Sequence, residues 1–149
     1  MSKSMEMLGR AGETMVVNYF NNQGQKVVAS EDQYDSQKDM LVEGMKVEVK
    51  TQVPYIVKDM FSFKPNQLKK CLNADKVVFV SVPSKKQQHH SDGMVYVVES
   101  KKMQYYPYTT KDGRNMIGVP IRQPDMQRLF ELTDRQCRIL QEYSVSGWN

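Results

Sequence analysis

The stretch Asp39-Met-Leu-Val-Glu-Gly-Met-Lys-Val-Glu-Val-Lys50 constrains the fold more than any other part of the chain. Glu43-Gly44 lies between two runs of strand-forming residues, and glycine most readily supplies the positive φ that a two-residue hairpin turn demands. With those two residues as the loop, Val42 faces Met45, Leu41 faces Lys46, Met40 faces Val47 and Asp39 faces Glu48. Side chains alternate along a strand. One face therefore carries Met40, Val42, Met45, Val47 and Val49, a core surface, and the other carries Asp39, Leu41, Lys46, Glu48 and Lys50. Two carboxylates end up opposed at roughly 4.5–5.5 Å between Cβ atoms. Like charges so placed repel unless a positive charge stands between them. A divalent cation would serve, and the Lys50 ammonium is two residues along the same face. The pairing depends on the two-residue loop, because a slip of one residue changes every partner.

A length of 149 residues predicts a single domain, 1–149, with a hydrophobic core of its own. Hydrophobic residues at 40% and charged residues at 26% are ordinary for a soluble globular protein. No apolar run has the length of a membrane span, and the opening Met1-Ser-Lys-Ser-Met-Glu-Met-Leu-Gly-Arg10 lacks the apolar stretch of a signal peptide. The expectation is a cytoplasmic, intracellular chain. Cys71 and Cys137 stand far apart without zinc-ligand spacing and read as buried thiols. A net charge of +4 is compatible with a nucleic-acid partner without requiring one. Several of the eleven methionines fall at core positions, as flexible fillers.

Along the chain, Met7, Leu8, Ala11, Met15, Tyr19 and Phe20 recur at helical spacing and predict a helix from about Ser4 to Asn22. Glu13 is the acidic residue in its middle, which base rates assign to the solvated surface. Lys26–Ala29 is a short strand and 30–38 a polar connection. The hairpin strands follow as Asp39–Glu43 and Met45–Gln52, with Pro54 ending the second. Residues 55–63 have no clear pattern. Ser62 as N-cap and Pro65 in the first turn predict a helix to Leu72, with Leu68, Cys71 and Leu72 buried and Lys69 and Lys70 outside. Lys76–Val82 is a near-continuous apolar run suited to a central strand. After a polar loop with Lys85, Lys86, His89 and His90 comes the strand Met94–Val98. Pro107 and Asp112-Gly113 predict a hairpin bearing Tyr105, Tyr106 and Tyr108. Thr133-Asp-Arg-Gln136 is a capping box opening a last helix to about Tyr143. This order predicts a mixed α/β (α+β) fold, one central mixed sheet flanked by helices.

The chemistry concentrates on the polar face of the hairpin. Mg²⁺ is held by one or two carboxylates, with waters and substrate phosphate completing its shell. A cation so held lowers the pKa of a bound water and neutralises charge on a phosphodiester, while a lysine orients the water or stabilises the developing charge. Asp39, Glu48 and Lys50 are the residue types such hydrolysis requires. The bland alternative is a charged surface hairpin with weak ion pairs. A decorative strand, however, tends to place lysine opposite glutamate, and this register places Asp39 there.

Asp39 followed at nine residues by Glu48-Val-Lys50 resembles the signature of the PD-(D/E)xK nuclease superfamily, the restriction-endonuclease-like fold. Gly12-Glu13 in an early helix resembles that family's opening element, and Gln67 the glutamine of some branches, including resolvase-like small nucleases. The resemblance runs from about Gly9 to Val82, with Lys38 where the signature's proline would stand. It implies a restriction-endonuclease-like core and a Mg²⁺-dependent DNA endonuclease in which Mn²⁺ substitutes. Asp39 and Glu48 would bind the metal with the Val49 main-chain carbonyl, and Glu13 would be an outer or second-metal ligand. Lys50 would be the catalytic lysine, and Gln67 would help order Lys50, a water or the DNA backbone. A free-standing nuclease of this size suits a phage or a bacterium.

Lys64, Lys69, Lys70, Lys85 and Lys86 are candidate phosphate contacts, as are Lys58, Lys101, Lys102 and Arg114. Each cluster is by base rate a solvated face. Tyr105, Tyr106 and Tyr108 are candidates for base stacking, against hairpin packing for at least two of them. His89 and His90 are adjacent and read as a solvated pair, and neither cysteine has a base at a recognisable spacing. Cutting both DNA strands takes two sites, which a homodimer would provide, and a targeting partner protein would account for the absence of a recognition domain. The rivals are a non-cleaving nucleic-acid-binding module of the same fold and a structural or interaction protein.

Overall fold

The computed structural model describes residues 3–29, 40–54, 59–84 and 93–144. Its elements are α1 (Lys3–Asn22), β1 (Val27–Ala29), β2 (Met40–Val42), β3 (Met45–Gln52), β4 (Met60–Phe63), α2 (Pro65–Asn73), β5 (Lys76–Ser81), β6 (Met94–Glu99), a 3-10 turn at Ser100–Lys102, β7 (Tyr106–Thr109), β8 (Asn115–Pro120), β9 (Gln127–Glu131) and α3 (Asp134–Ser144). The fold is mixed α/β with a central mixed sheet and three helices.

The hairpin sets the frame. Met40 pairs with Val47, Leu41 with Lys46 and Val42 with Met45. Glu43 and Gly44 take φ values of 50° and 81°, the two positive angles of a type I′ turn. Glu43 is held in that conformation by β1, since Lys26 N–H donates to its Oε1 at 2.8 Å and Glu43 N–H donates to Lys26 O at 2.9 Å. Met45 beside the turn is 37% exposed, so the core face is narrower than the alternation alone predicts.

The central sheet has six strands in the order β1-β2-β3-β5-β6-β9. Among the described residues its one parallel pair is β3 with β5, which places Glu48 beside Val77, Lys50 beside Phe79 and Gln52 beside Ser81. Parallel neighbours need a crossover connection, and here β4 and α2 supply it. One face of the sheet is covered by α1 and α3, where Met15, Val16, Phe20 and Leu140 pack with Val47, Val78, Val80 and Val95. Gly12 allows the close approach of α1. A Cβ there would fall on the side chain of Thr51, whose own Cβ would be only 2.8 Å away.

The expectation of one sheet is corrected. β4, β8 and β7 form a separate three-stranded antiparallel sheet that packs with α2 on the other face of the central sheet. Phe61 stacks on Phe79 across the two sheets with centroids 4.6 Å apart. Phe63, Cys71, Tyr96, Val98, Ile117 and Val119 complete this second core. β3 is consequently covered on both sides, and its charged face is half-buried.

Two further corrections concern helix starts and edges. Ser62 belongs to β4, and the residue preceding α2 is Lys64, which gives no side-chain cap, with Pro65 beginning the helix. β9 has only Leu129 and Phe130 as apolar residues and lies at a sheet edge beside a register shift at Val95/Tyr96, so its alternation is too weak to read. At α3 the capping box forms as expected, with Thr133 N–H donating to Gln136 Oε1 at 2.9 Å and Gln136 N–H to Thr133 Oγ1 at 3.1 Å. No helix of the described residues is long and apolar enough to cross a membrane.

Candidate functional site

Alternation along β3 sends Glu48, Lys50 and Gln52 to the face shared with α2 and β4, while Val47, Val49 and Thr51 face α1. Two turns of chemistry follow from this. The Lys50 ammonium donates to Gln67 Oε1 at 2.6 Å and lies 3.4 Å from Glu48 Oε1. It also sits 5.8 Å from the centroid of the Phe63 ring, within reach of a cation–π attraction. The Lys50 and Glu48 side chains are only 13% and 20% exposed.

An ammonium carries three donors. Gln67 and Glu48 engage two, and their positions fix the direction of the third. Gln67 reaches Lys50 because α2 follows β4 directly, and Pro65 presets the first turn so that Gln67, two residues later, faces β3. Gln52 works on the other side. Its Nε2 donates to Ser62 O at 2.9 Å, and its Oε1 accepts from Ser62 N–H at 2.6 Å. One carboxamide thus satisfies both outward main-chain groups of Ser62, as a neighbouring strand would. The sequence reading did not single out Gln52, although its spacing two residues after Lys50 on the same face was available.

Cys71 is fully buried beneath this group. Burial pushes its thiol up to about 11, while the positive charge of Lys50 pulls the other way. It is held as a neutral thiol, in keeping with its reading as a core residue rather than a nucleophile.

The structure therefore brings Glu48, Lys50 and Gln67 together and adds Gln52. Asp39, Lys85 and Lys86 lie outside the described residues, as do Lys58, His89 and His90. Glu13 is exposed on α1, one residue past the Gly12 contact, on the helix that covers the opposite face of β3. Among the described residues no three His, Cys, Asp or Glu side chains gather in a group able to hold a metal ion. Lys64 and Lys69 are exposed around α2, and Lys70, expected outside, is half-buried in its last turn.

Comparison of the chain with models of protein families, with curated proteins and with solved structures finds no match.

Proposed function

We propose that this chain is a metal-dependent endonuclease that hydrolyses DNA phosphodiester bonds on a restriction-endonuclease-like core of the PD-(D/E)xK type. The observation that carries the reading is the Lys50 ammonium, secluded between Glu48 and Gln67. A surface ion pair gains little and is normally solvated. Withdrawing a lysine and a glutamate to 13% and 20% side-chain exposure carries a desolvation cost, which favours a use for the charge over decoration.

Glu48 is suited to a hard cation. Its carboxylate offers about four acceptor positions, and Lys50 engages one oxygen. Asp39, opposite Glu48 by the hairpin arithmetic, would be its co-ligand, with the Val49 carbonyl beside it. Mg²⁺, or Mn²⁺ in its place, would supply charge neutralisation on the phosphodiester and acidify a water. Lys50 directs its remaining donor at the attacking water or a phosphoryl oxygen, and charge on that oxygen is stabilised as it develops. Gln67 keeps the ammonium aimed. Phe63 beneath it excludes water from one side.

Cleavage of plasmid, single-stranded and branched DNA with Mg²⁺ or Mn²⁺, beside an Asp39→Ala variant, tests the reading. The expected result is metal-dependent cutting that Asp39→Ala abolishes. Cutting untouched by that substitution removes the site, binding without cutting supports the non-cleaving module, and neither supports a structural role.

A further inference from the structure

The β4-β8-β7 sheet turns one face to the core, and on its other face Met60 is buried too, at 1% exposed. Phe61, Phe63, Ile117 and Val119 point into the core, so alternation puts Met60, Ser62, Tyr106, Tyr108 and Met116 on the other side. There the Tyr106 and Tyr108 rings lie with centroids 6.1 Å apart, both half-buried. Gly118 lies between Ser62 and Tyr106 in the register, and a Cβ on it would stand 2.8 Å from Met60 Sδ and 3.0 Å from the Tyr106 ring. Its missing side chain lets the Tyr106 ring cross β8, with the hydroxyl donating to Met60 Sδ at 2.7 Å. The Tyr108 hydroxyl is hydrogen-bonded to Ser62 Oγ. Both rings are thereby fixed at their hydroxyl ends.

The charge around them is mainly positive, with Glu99, Asp112 and Asp59 paired to three of the cations. Residues 101–122 hold Lys101, Lys102, Lys111, Arg114 and Arg122 against Asp112 alone, an excess equal to the +4 of the entire chain. Lys111 is exposed at the β7–β8 tip, where Arg114 is 64% exposed and pairs with Asp112. Lys102 and Arg122 are also solvent-facing, beside Glu99 and Asp59. The sheet is joined to the catalytic strand at Ser62, which Gln52 holds by both main-chain groups. Strands lie about 4.8 Å apart, so β7 is roughly 10 Å from β4.

We infer that the outer face of this sheet, with Tyr106, Tyr108 and the basic tip at Lys111 and Arg114, is a stacking platform for single-stranded nucleic acid. Fixed aromatic rings beside a basic hairpin match the two contacts such strands offer, unpaired base faces and phosphates. A duplex hides its base faces and gains only the phosphate contacts. That the strand leads on to Lys50 rests on the proposed nuclease reading, while the binding itself does not.

The test is fluorescence anisotropy of the full chain in EDTA with a fluorescein-labelled dT15 oligonucleotide and a 15-base-pair duplex. The expected result is tighter binding of dT15, weakened about 5- to 100-fold by Tyr108→Leu and left near wild type by Tyr108→Phe, which keeps the ring. Lys111→Ala should flatten the slope of log K against log salt by about 0.7. A folded Tyr108→Leu variant that binds dT15 as wild type does, or a preference for duplex, overturns the inference. If circular dichroism shows that Tyr108→Leu does not fold, a Lys111→Glu, Arg114→Glu variant at the exposed tip decides, and unchanged dT15 affinity overturns it. Metal-dependent cleavage without dT15 binding discards the platform and keeps the nuclease, and the reverse pattern discards the nuclease and keeps the platform.

Discussion

Lys50 on β3 and Gln67 on α2 meet at 2.6 Å, so the crossover that makes β3 and β5 parallel also fixes the ammonium of the candidate site. Gln67→Ala should lower single-turnover DNA cleavage about 10- to 100-fold, the usual cost of losing a residue that orients a working group. The hydrogen bond has a charged donor, so thermal or urea unfolding should show a loss of about 1.5 kcal/mol.

Lys50→Met removes a donor aimed at developing charge and Glu48→Gln a charged metal ligand, and each should reduce cleavage by at least about 10²- to 10³-fold. Gln keeps the shape of Glu48, and Met, one atom shorter than Lys50, fills most of the half-buried space between β3 and α2. Melting temperatures within a few degrees of wild type are the expected control, and unfolding of either variant would assign the pair a structural role.

Gly12→Ala tests the close approach of α1 to β3. The added methyl falls on Thr51, so the helix or the strand must move, at a cost of about 1–3 kcal/mol. Adding Thr51→Gly should recover part of that loss. A double-mutant cycle in denaturant reads the coupling, and additive losses would contradict the contact.

Cys71 gives a pH dependence with a definite sign. Its thiol is raised from 9.0 to about 11 in the folded chain, so the folded state holds the proton more tightly than the unfolded one. Stability from this group is complete below pH 9 and falls as pH rises towards 11. The difference in unfolding free energy between wild type and Cys71→Ala should change across that window by at most about 1.4 kcal/mol per pH unit. A difference independent of pH would contradict the assignment.

Thr133→Ala removes one half of a reciprocal cap. The expected loss is about 1 kcal/mol, seen as a drop of roughly 2–5 °C in melting temperature, with cleavage unchanged.

What was legible in the sequence was local. The hairpin register followed from the glycine turn and period-two alternation, and Met40 does pair with Val47. The capping box at Thr133 and the apolar run of β5 carried equally direct signals. The β7–β8 hairpin of the second sheet was legible from Pro107 and Asp112-Gly113, but its pairing with β4 was not, because residues 60–63 and 115–120 find each other only in three dimensions. β4 has four residues, too few for alternation to separate it from its surroundings. Without that sheet, the charged face of β3 read as solvent-facing or metal-facing, whereas α2 and β4 half-cover it. Gln52 was missed for the same reason, since its partner Ser62 lies on the unseen strand.

The clasp of Gln52 on Ser62 also bears on how the protein behaves in concentrated solution. An uncapped sheet border invites a second molecule to add a strand to it. At β4 a single carboxamide occupies the place that an intruding backbone would take. Loss of Gln52 would leave the Ser62 N–H and carbonyl open to such an added strand, so light scattering of Gln52→Ala should show association that the wild-type chain lacks.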